Sequence, residues 1–305
     1  MIAVGVAVER AELGDYREST TDAVRRFQEA RGLLRTGVCD RTTWSALVEA
    51  GYRLGDRLLY LCSPMLRGDD VHDLQHGLGA LGFDAGRVDG IFGPQTESAL
   101  RQFQRNTGLT TDAVCGPEVC ASLARLGGRT ATVSVAGVRE RERLRAAPPQ
   151  LAGRRMAVGH PGGLDVLATT VGRLLQEEGA TIALLHYREP SVQAKEANAF
   201  AAEVFLGLDL IDETTSRVAY YETAGFRSAG GARLAELVSE RLPLTAGLRC
   251  AEPAGLRLPL LRETRMPAVV VMLGPPSRVV EQSGQVASTL VTAVRDWVAS
   301  PLADS

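Results

Sequence analysis

Thr96-x-x-Ala99-x-Arg101-x-Phe103-Gln104 repeats an earlier stretch of the chain, Thr20-x-x-Ala23-x-Arg25-x-Phe27-Gln28, at a spacing of 76 positions. The same spacing relates Gly108-Leu109 to Gly32-Leu33 and Val114-Cys115 to Val38-Cys39, without a gap. Repetition at a fixed spacing indicates one small folding unit that is used twice. We therefore predict two copies of a helical unit in the N-terminal part of the chain.

The second copy has the start and stop signals of three helices. The first helix is amphipathic and follows Asp69 and Asp70, either of which is expected to cap it. Pro94 is expected to begin the second helix and Gly108 to end it, and Pro117 is expected to begin the third. The unit is therefore predicted to be a three-helix domain.

The segments around these helices are similar to the three-helix peptidoglycan-binding domain. The similarity rests on Gly68-x-Asp70-Val71-x-x-Leu74-Gln75, Val88-Asp89-Gly90-x-Phe92-Gly93, Phe103-Gln104 and Gly108-Leu109. It implies that the unit binds peptidoglycan or its precursors. The candidate ligand contacts that it implies are Asp89, Phe92, Phe103 and Gln104, although the resemblance of fold outweighs any single contact.

Domain boundaries follow from the repeat and from a change of pattern after it. The first copy has no counterpart of the first helix, so we expect a partial repeat over residues 1–50 and a complete one over 51–127. Gly127-Gly128 is followed by an alternating Arg/Glu run and Pro148-Pro149, so residues 128–152 are predicted to be a solvated linker. A different domain is expected over 153–301.

Short apolar runs that alternate with amphipathic segments fill this last region. The runs are typical of buried strands, and the strands are expected over Arg155 to Val158, Thr181 to His186, Val204 to Leu208, Val218 to Tyr221 and Ala268 to Leu273. Strands that alternate with helices predict a wound α/β sheet. The fold class is therefore α plus α/β, with several domains.

Composition excludes several classes of function. The 305 residues carry a net charge of −2, which predicts no binding to nucleic acid. Five cysteines without a Cys-x-x-Cys motif indicate reduced thiols. The N-terminal apolar run is eight residues long with no basic residue before it, so neither a secretory signal nor a membrane span is expected. We therefore expect a cytoplasmic location.

Residues 153–299 resemble the zinc-dependent N-acetylmuramoyl-L-alanine amidase domain. The similarity rests on a strand that leads into Pro161-Gly162-Gly163, on Val204-Phe205-Leu206-Gly207-Leu208, and on Leu261-Arg262-x-Thr264-Arg265-Met266-Pro267-Ala268-Val269. It implies an α/β amidase fold in which two histidines and a glutamate hold zinc. A further, late glutamate of that family moves protons for the zinc-bound water.

This chain departs from the family at the residues that carry the chemistry. The second zinc histidine of the family falls on Asp209 and the late glutamate falls on Met272. His160 matches the first histidine in neither possible register, and Asp165 is the acid nearest the position of the zinc glutamate. The resemblance therefore implies that the chain has no catalytic residue, no metal and no cofactor.

Three functions remain open. The combination of domains resembles a family of actinobacterial regulators, which implies a pseudoenzyme that regulates cell-wall precursor synthesis. Its implied partners are the cytoplasmic enzyme that makes the first committed precursor and a Ser/Thr kinase. The second hypothesis is an exported, active zinc amidase of cell-wall turnover with His160, Asp165 and Asp209 as ligands. His186 is expected to be a strand-end residue. The third is a non-enzymatic peptidoglycan-binding module.

Overall fold

The computed structural model describes residues 15–126 and 135–302. These residues form two compact units, one made mainly of residues 15–139, with residues 223–226, and one made of the rest of residues 140–302. The helices of the first unit are α1 (Glu18–Ala30), α2 (Arg41–Glu49), α3 (Asp69–Ala80), α4 (Pro94–Thr107) and α5 (Pro117–Leu126), and α6 (Val135–Ala146) follows them.

The predicted three-helix unit of the second copy is confirmed as α3, α4 and α5. Helix α4 begins at Pro94 and ends before Gly108, whose φ of 72° is the left-handed conformation that glycine adopts without strain. Helix α5 begins at Pro117, as expected. The apolar faces of the three helices enclose Leu74 and Phe103 in one core.

The predicted cap of α3 is wrong. Gly68 occupies the N-cap, and Asp69 and Asp70 lie in the first helical turn. The side chain of Asp70 is 1% exposed, and its Oδ2 accepts a hydrogen bond from Nε of Arg57 at 2.7 Å. A buried carboxylate requires such a partner, so Asp70 is used for an ion pair instead of a cap.

The two copies share a buried glutamine that makes the same contacts in each. Gln104 Oε1 accepts a hydrogen bond from the Ala113 N–H at 2.8 Å, and its Nε2 donates to the carbonyl of the following residue at 3.1 Å. Gln28 makes the equivalent bonds with Gly37 at 2.9 Å and with the carbonyl after it at 3.0 Å. The glutamine therefore holds the loop between two helices in both copies.

The linker prediction is wrong for residues 135–146, which form α6. Leu144 is buried in the core of the α/β unit. Glu140 Oε1 accepts hydrogen bonds from Ser228 Oγ at 2.8 Å and from the Gly230 N–H at 3.0 Å. The sequence pattern did not reveal this contact. Glu140 and Leu144 face the α/β unit, but the Arg/Glu run around them is typical of a solvated segment. Residues 1–14 and 128–134, part of the predicted partial repeat and linker, lie outside the described residues.

The second unit is an α/β domain around one sheet. Its strands are β1 (Arg155–His160), β2 (Thr181–His186), β3 (Val204–Leu210), β4 (Arg217–Thr223), β5 (Phe226–Arg227), β6 (Ala254–Leu256) and β7 (Ala268–Leu273). Its helices are α7 (Asp165–Glu177), α8 (Pro190–Ala199), α9 (Ala229–Thr245), α10 (Pro259–Glu263), α11 (Pro276–Glu281) and α12 (Ser283–Ala299).

The strand order is β2-β1-β3-β7-β4-β5, with β6 paired to β4. Strands β2, β1, β3 and β7 are parallel, whereas β4 runs antiparallel to β7. All five predicted strands are confirmed, and the sheet is mixed. The short strands β5 and β6 were not predicted, because two or three residues carry no detectable periodicity. The carboxyl ends of β1, β2, β3 and β7 share one edge of the sheet.

Close packing at the centre of the sheet depends on Gly159 in β1. A Cβ atom at this position would lie 2.6 Å from Cζ of Phe205 and 2.4 Å from Oε1 of Gln193. Both distances are shorter than a van der Waals contact. The aromatic ring of β3 therefore occupies space that any other residue in β1 would fill.

Gln104→Ala is expected to lower the free energy of unfolding of the second repeat by about 2–4 kcal/mol, since it leaves a buried N–H and a buried carbonyl without partners. Gln102→Ala is the matched control on the exposed face of α4, with an expected change within about 0.5 kcal/mol. Urea unfolding of the full chain, followed by hydrogen exchange of residues 94–126, measures both changes. Equal effects of the two substitutions would contradict a structural role for Gln104.

Gly159→Ala is expected to destabilise the α/β unit by about 1–3 kcal/mol, because Phe205 and Gln193 must move to admit a methyl group. In the control Gly284→Ala, the new Cβ in α12 meets no atom within 4 Å. That change is expected to be neutral or stabilising by up to about 1 kcal/mol. Thermal unfolding compares the two variants, and a neutral Gly159→Ala would contradict the packing described for β1.

Candidate metal centre

Two parallel strands end in a histidine at the same level of the sheet. Strand β1 ends at His160 and β2 ends at His186, and the parallel register pairs these two residues. Side chains of paired residues on neighbouring strands point to the same face. The two imidazole rings accordingly stack, with centroids 4.5 Å apart and ring planes at 23°.

A glycine turn brings a carboxylate to the two rings. The chain leaves β1 through Pro161-Gly162-Gly163, and the φ angles of the glycines are 141° and 74°. These angles let the backbone reverse and begin α7 at Asp165. Asp165 Oδ1 lies 3.2 Å from Nδ1 of His186 and 3.8 Å from Nε2 of His160.

The two histidines differ in exposure. The His160 side chain is 6% exposed, whereas the side chains of His186 and Asp165 are 58% and 60% exposed. Burial lowers the pKa of His160, the Asp165 carboxylate opposes this shift, and His186 adds to it. The buried environment therefore favours the neutral form of His160. Within residues 15–126 and 135–302, its Nδ1 is a buried atom without a hydrogen-bond partner.

His160, Asp165 and His186 together present three atoms of the kind that bind metal ions. Their ligand atoms all lie within 4.8 Å of one another. In the described part of the chain this is the one group of three or more histidine, cysteine or acidic residues close enough to share an ion. Beside it, Pro161, Gly162, Gly163, His186 and Arg188 line an open cleft.

The structure brings together two of the three metal ligands that the sequence analysis considered for an active amidase. His160 and Asp165 are neighbours, but Asp209 does not belong to the group, and His186 takes the third place. His186 is a strand-end residue, as expected, and that position is what brings it to His160. Its role was missed because the sequence does not show which strands pair. The sequence does contain one indication that the two histidines are equivalent. Strand β1 ends in Ala-Val-Gly-His and strand β2 ends in Ala-Leu-Leu-His.

Asp209 and Met272, to which the resemblance assigned the positions of a zinc histidine and of the late glutamate, are neighbours in the structure. They are paired across β3 and β7. Met272 is 2% exposed, and every residue of β7 is buried. Burial raises the pKa of Asp209, while a hydrogen bond from the Leu210 N–H to its Oδ1 at 2.9 Å opposes the shift. The edge of the sheet therefore has a desolvated aspartate beside a thioether.

The residues predicted to contact peptidoglycan are mostly internal. Phe92 and Phe103 are fully buried in the core of the second repeat, and Gln104 is 2% exposed. The structure therefore corrects the prediction for these three residues, which hold the unit together and offer no surface to a ligand. Asp89 is half-buried, and its Oδ1 accepts hydrogen bonds from Gln75 Nε2 at 2.9 Å and from the Ile91 N–H at 2.8 Å.

Known proteins match both parts of the chain. The family described as "Putative peptidoglycan binding domain" matches residues 4–47 and 67–123. The N-acetylmuramoyl-L-alanine amidase CwlM of Mycobacterium tuberculosis is 37% identical over 283 residues, which cover 83% of this chain and 70% of that protein. The amidase CwlL of Bacillus licheniformis is 29% identical over 147 residues, 41% of each chain.

Part of the chain is also similar to solved structures. The amidase Ami1 of Mycobacterium smegmatis aligns with a TM-score of 0.43 and 14% identity, over 50% of this chain and 99% of that one. Among the helices of residues 15–126 and 135–302, none is both long enough and apolar enough to cross a bilayer.

Asp209→Asn is expected to stabilise the protein at pH 7. Because the folded pKa of Asp209 lies above its unfolded value, the ionised carboxylate costs stability above the folded pKa, and this cost disappears as the pH falls below the unfolded value. The gain should therefore be present at pH 7 and absent near pH 3. Urea unfolding at both values measures it. Asp212→Asn, on an exposed loop, is the control and should change stability little at either pH.

Proposed function

The chain belongs to the family of CwlM-like proteins, which join peptidoglycan-binding domains to an amidase-like domain, and we propose that this member acts by binding and not by hydrolysis. In this proposal it is a pseudoenzyme that recognises peptidoglycan or its precursors. It regulates precursor synthesis in the cytoplasm through protein partners.

Met272 is the observation that carries the proposal. Hydrolysis of the bond between muramic acid and L-alanine requires a group that takes a proton from the attacking water and returns one to the leaving amine. The resemblance to amidases assigns that task to the position of Met272, whose thioether cannot exchange protons. Its burial in an entirely apolar strand leaves no room for a substitute at the same place.

Asp209 does not replace the missing carboxylate. It lies on the neighbouring strand and its Oδ1 is already bonded to the next backbone N–H. Asp209 also lies outside the group of residues whose ligand atoms are close enough to share an ion, whereas a proton-transfer group at a metal site would face the bound water. The second candidate function is an active zinc amidase, which the His160–Asp165–His186 cluster supports. An assay of peptidoglycan hydrolysis distinguishes the two functions.

Partner binding follows from the resemblance to the regulator family. The proposed partner is the cytoplasmic enzyme of the first committed step of precursor synthesis, and a Ser/Thr kinase is proposed to control the interaction. The two repeats supply the recognition of glycan or stem peptide. These features separate the regulator from a simple wall-binding module, which would bind peptidoglycan and leave the precursor enzyme unaffected.

The purified full chain, supplied with zinc, is expected to release no stem peptide from peptidoglycan sacculi or soluble muropeptides above the buffer background. An active amidase, assayed in parallel, is the positive control. Liquid chromatography of the products detects peptides with a free L-alanine terminus. Release that is lost in His186→Ala would overturn the proposal in favour of a zinc amidase.

The same chain is expected to change the turnover of the first committed precursor enzyme from the same cell, in proportion to the amount added. Steady-state rates with and without the chain measure the effect, and heat-unfolded chain is the control. Binding to sacculi without any change of rate would instead support the wall-binding module.

A further inference from the structure

We propose that His160, Asp165 and His186 bind one divalent transition-metal ion at the carboxyl edge of β1 and β2. This ligand set differs from the one that the resemblance to amidases implies, because its third member comes from β2 and not from Asp209 on β3. The site stands independently of the proposed regulatory function.

The donor atoms are of the right kind and are close to the right spacing. Two imidazole nitrogens and one carboxylate oxygen are the ligands of many zinc sites, in which a fourth position stays open. Zinc bonds of about 2.0–2.1 Å in a tetrahedral site place neighbouring ligand atoms about 3.3 Å apart. The distances from Asp165 Oδ1 to the two histidines, 3.2 and 3.8 Å, are near that value.

One of the three residues, His160, has a ring nitrogen without a hydrogen-bond partner in the described part of the chain. Asp165 Oδ1 is within hydrogen-bond distance of His186, but Nε2 of the buried His160 lies 3.8 Å from it, which is too far for a hydrogen bond. A cation held between the three residues would therefore bind His160 through Nε2, the ring nitrogen that faces Asp165. Nδ1 of the same ring is buried and has no hydrogen-bond partner in the described part of the chain.

The surroundings permit entry and a further ligand. His186 and Asp165 are more than half exposed, so an ion reaches them from solvent, while the buried His160 forms the inner wall. The cleft beside them includes Gly162 and Gly163, which have no side chains that could cover the ion. Arg188 lines the same cleft, and its positive charge favours an anionic oxygen as the additional ligand.

Zinc content of the untagged full chain, dialysed against trace zinc and measured by elemental mass spectrometry, is the primary test. We expect one zinc per chain for the unmodified protein. His186→Ala and Asp165→Asn change exposed side chains and should weaken zinc binding at least about tenfold in a competition titration. His160→Ala should do the same, and circular dichroism establishes that each variant is folded.

Two controls separate this site from others. Asp209→Asn alters the position to which the resemblance assigned a ligand, and it should retain one zinc per chain. His72→Ala with His76→Ala removes the remaining two of the four histidines and should also retain it. Replacement of zinc by Co²⁺ should give weak visible bands without the intense near-ultraviolet absorption of a thiolate ligand.

Absence of zinc from the unmodified chain would overturn the proposal, and so would zinc that survives His186→Ala or is lost in Asp209→Asn. A thiolate band in the cobalt spectrum would also overturn it. Zinc binding without hydrolysis of muropeptides leaves both proposals standing. Hydrolysis that depends on His186 would overturn the proposed function and leave the metal site in place.

Discussion

The parallel pairing of β1 with β2 on one side and with β3 on the other is the constraint on which the candidate site depends. Parallel strands end at a common edge, so residues that are far apart in the chain meet there if each is last in its strand. His160 meets His186 for this reason alone. The pairing in turn depends on Gly159, because its missing side chain leaves space for Phe205 and keeps β1 close to its neighbours.

The N-terminal unit depends on a different constraint, the satisfaction of buried polar groups. Gln104 and Gln28 each hold a loop by bonding its backbone, and the cost of an unpaired buried amide explains why both copies keep the residue. The repeated sequence pattern is thus mainly a record of folding requirements. Asp89, which remains half-buried, is the predicted contact that a ligand could still reach.

The edge of the sheet divides into two parts with different chemistry. At β1 and β2, two imidazoles and a carboxylate offer lone pairs to a cation. At β3 and β7, the buried thioether of Met272 has no proton to exchange, and the half-buried Asp209 accepts a hydrogen bond from the Leu210 N–H. The proposed ion site and the positions that the resemblance assigns to hydrolysis thus lie on different pairs of strands.

The sequence by itself determined the repeat, its three helices and the five main strands, since glycine, proline and apolar periodicity act over a few residues. The resemblance to amidases, also read from the sequence, predicts that Asp209 and Met272 stand at the family positions. Tertiary structure alone decided that α6 packs on the α/β unit through Glu140 and Leu144, and that Phe92 and Phe103 are internal. It also decided that His186, and not Asp209, joins His160 and Asp165. Strand register and burial arise from contacts between distant segments, and local residue patterns do not record them.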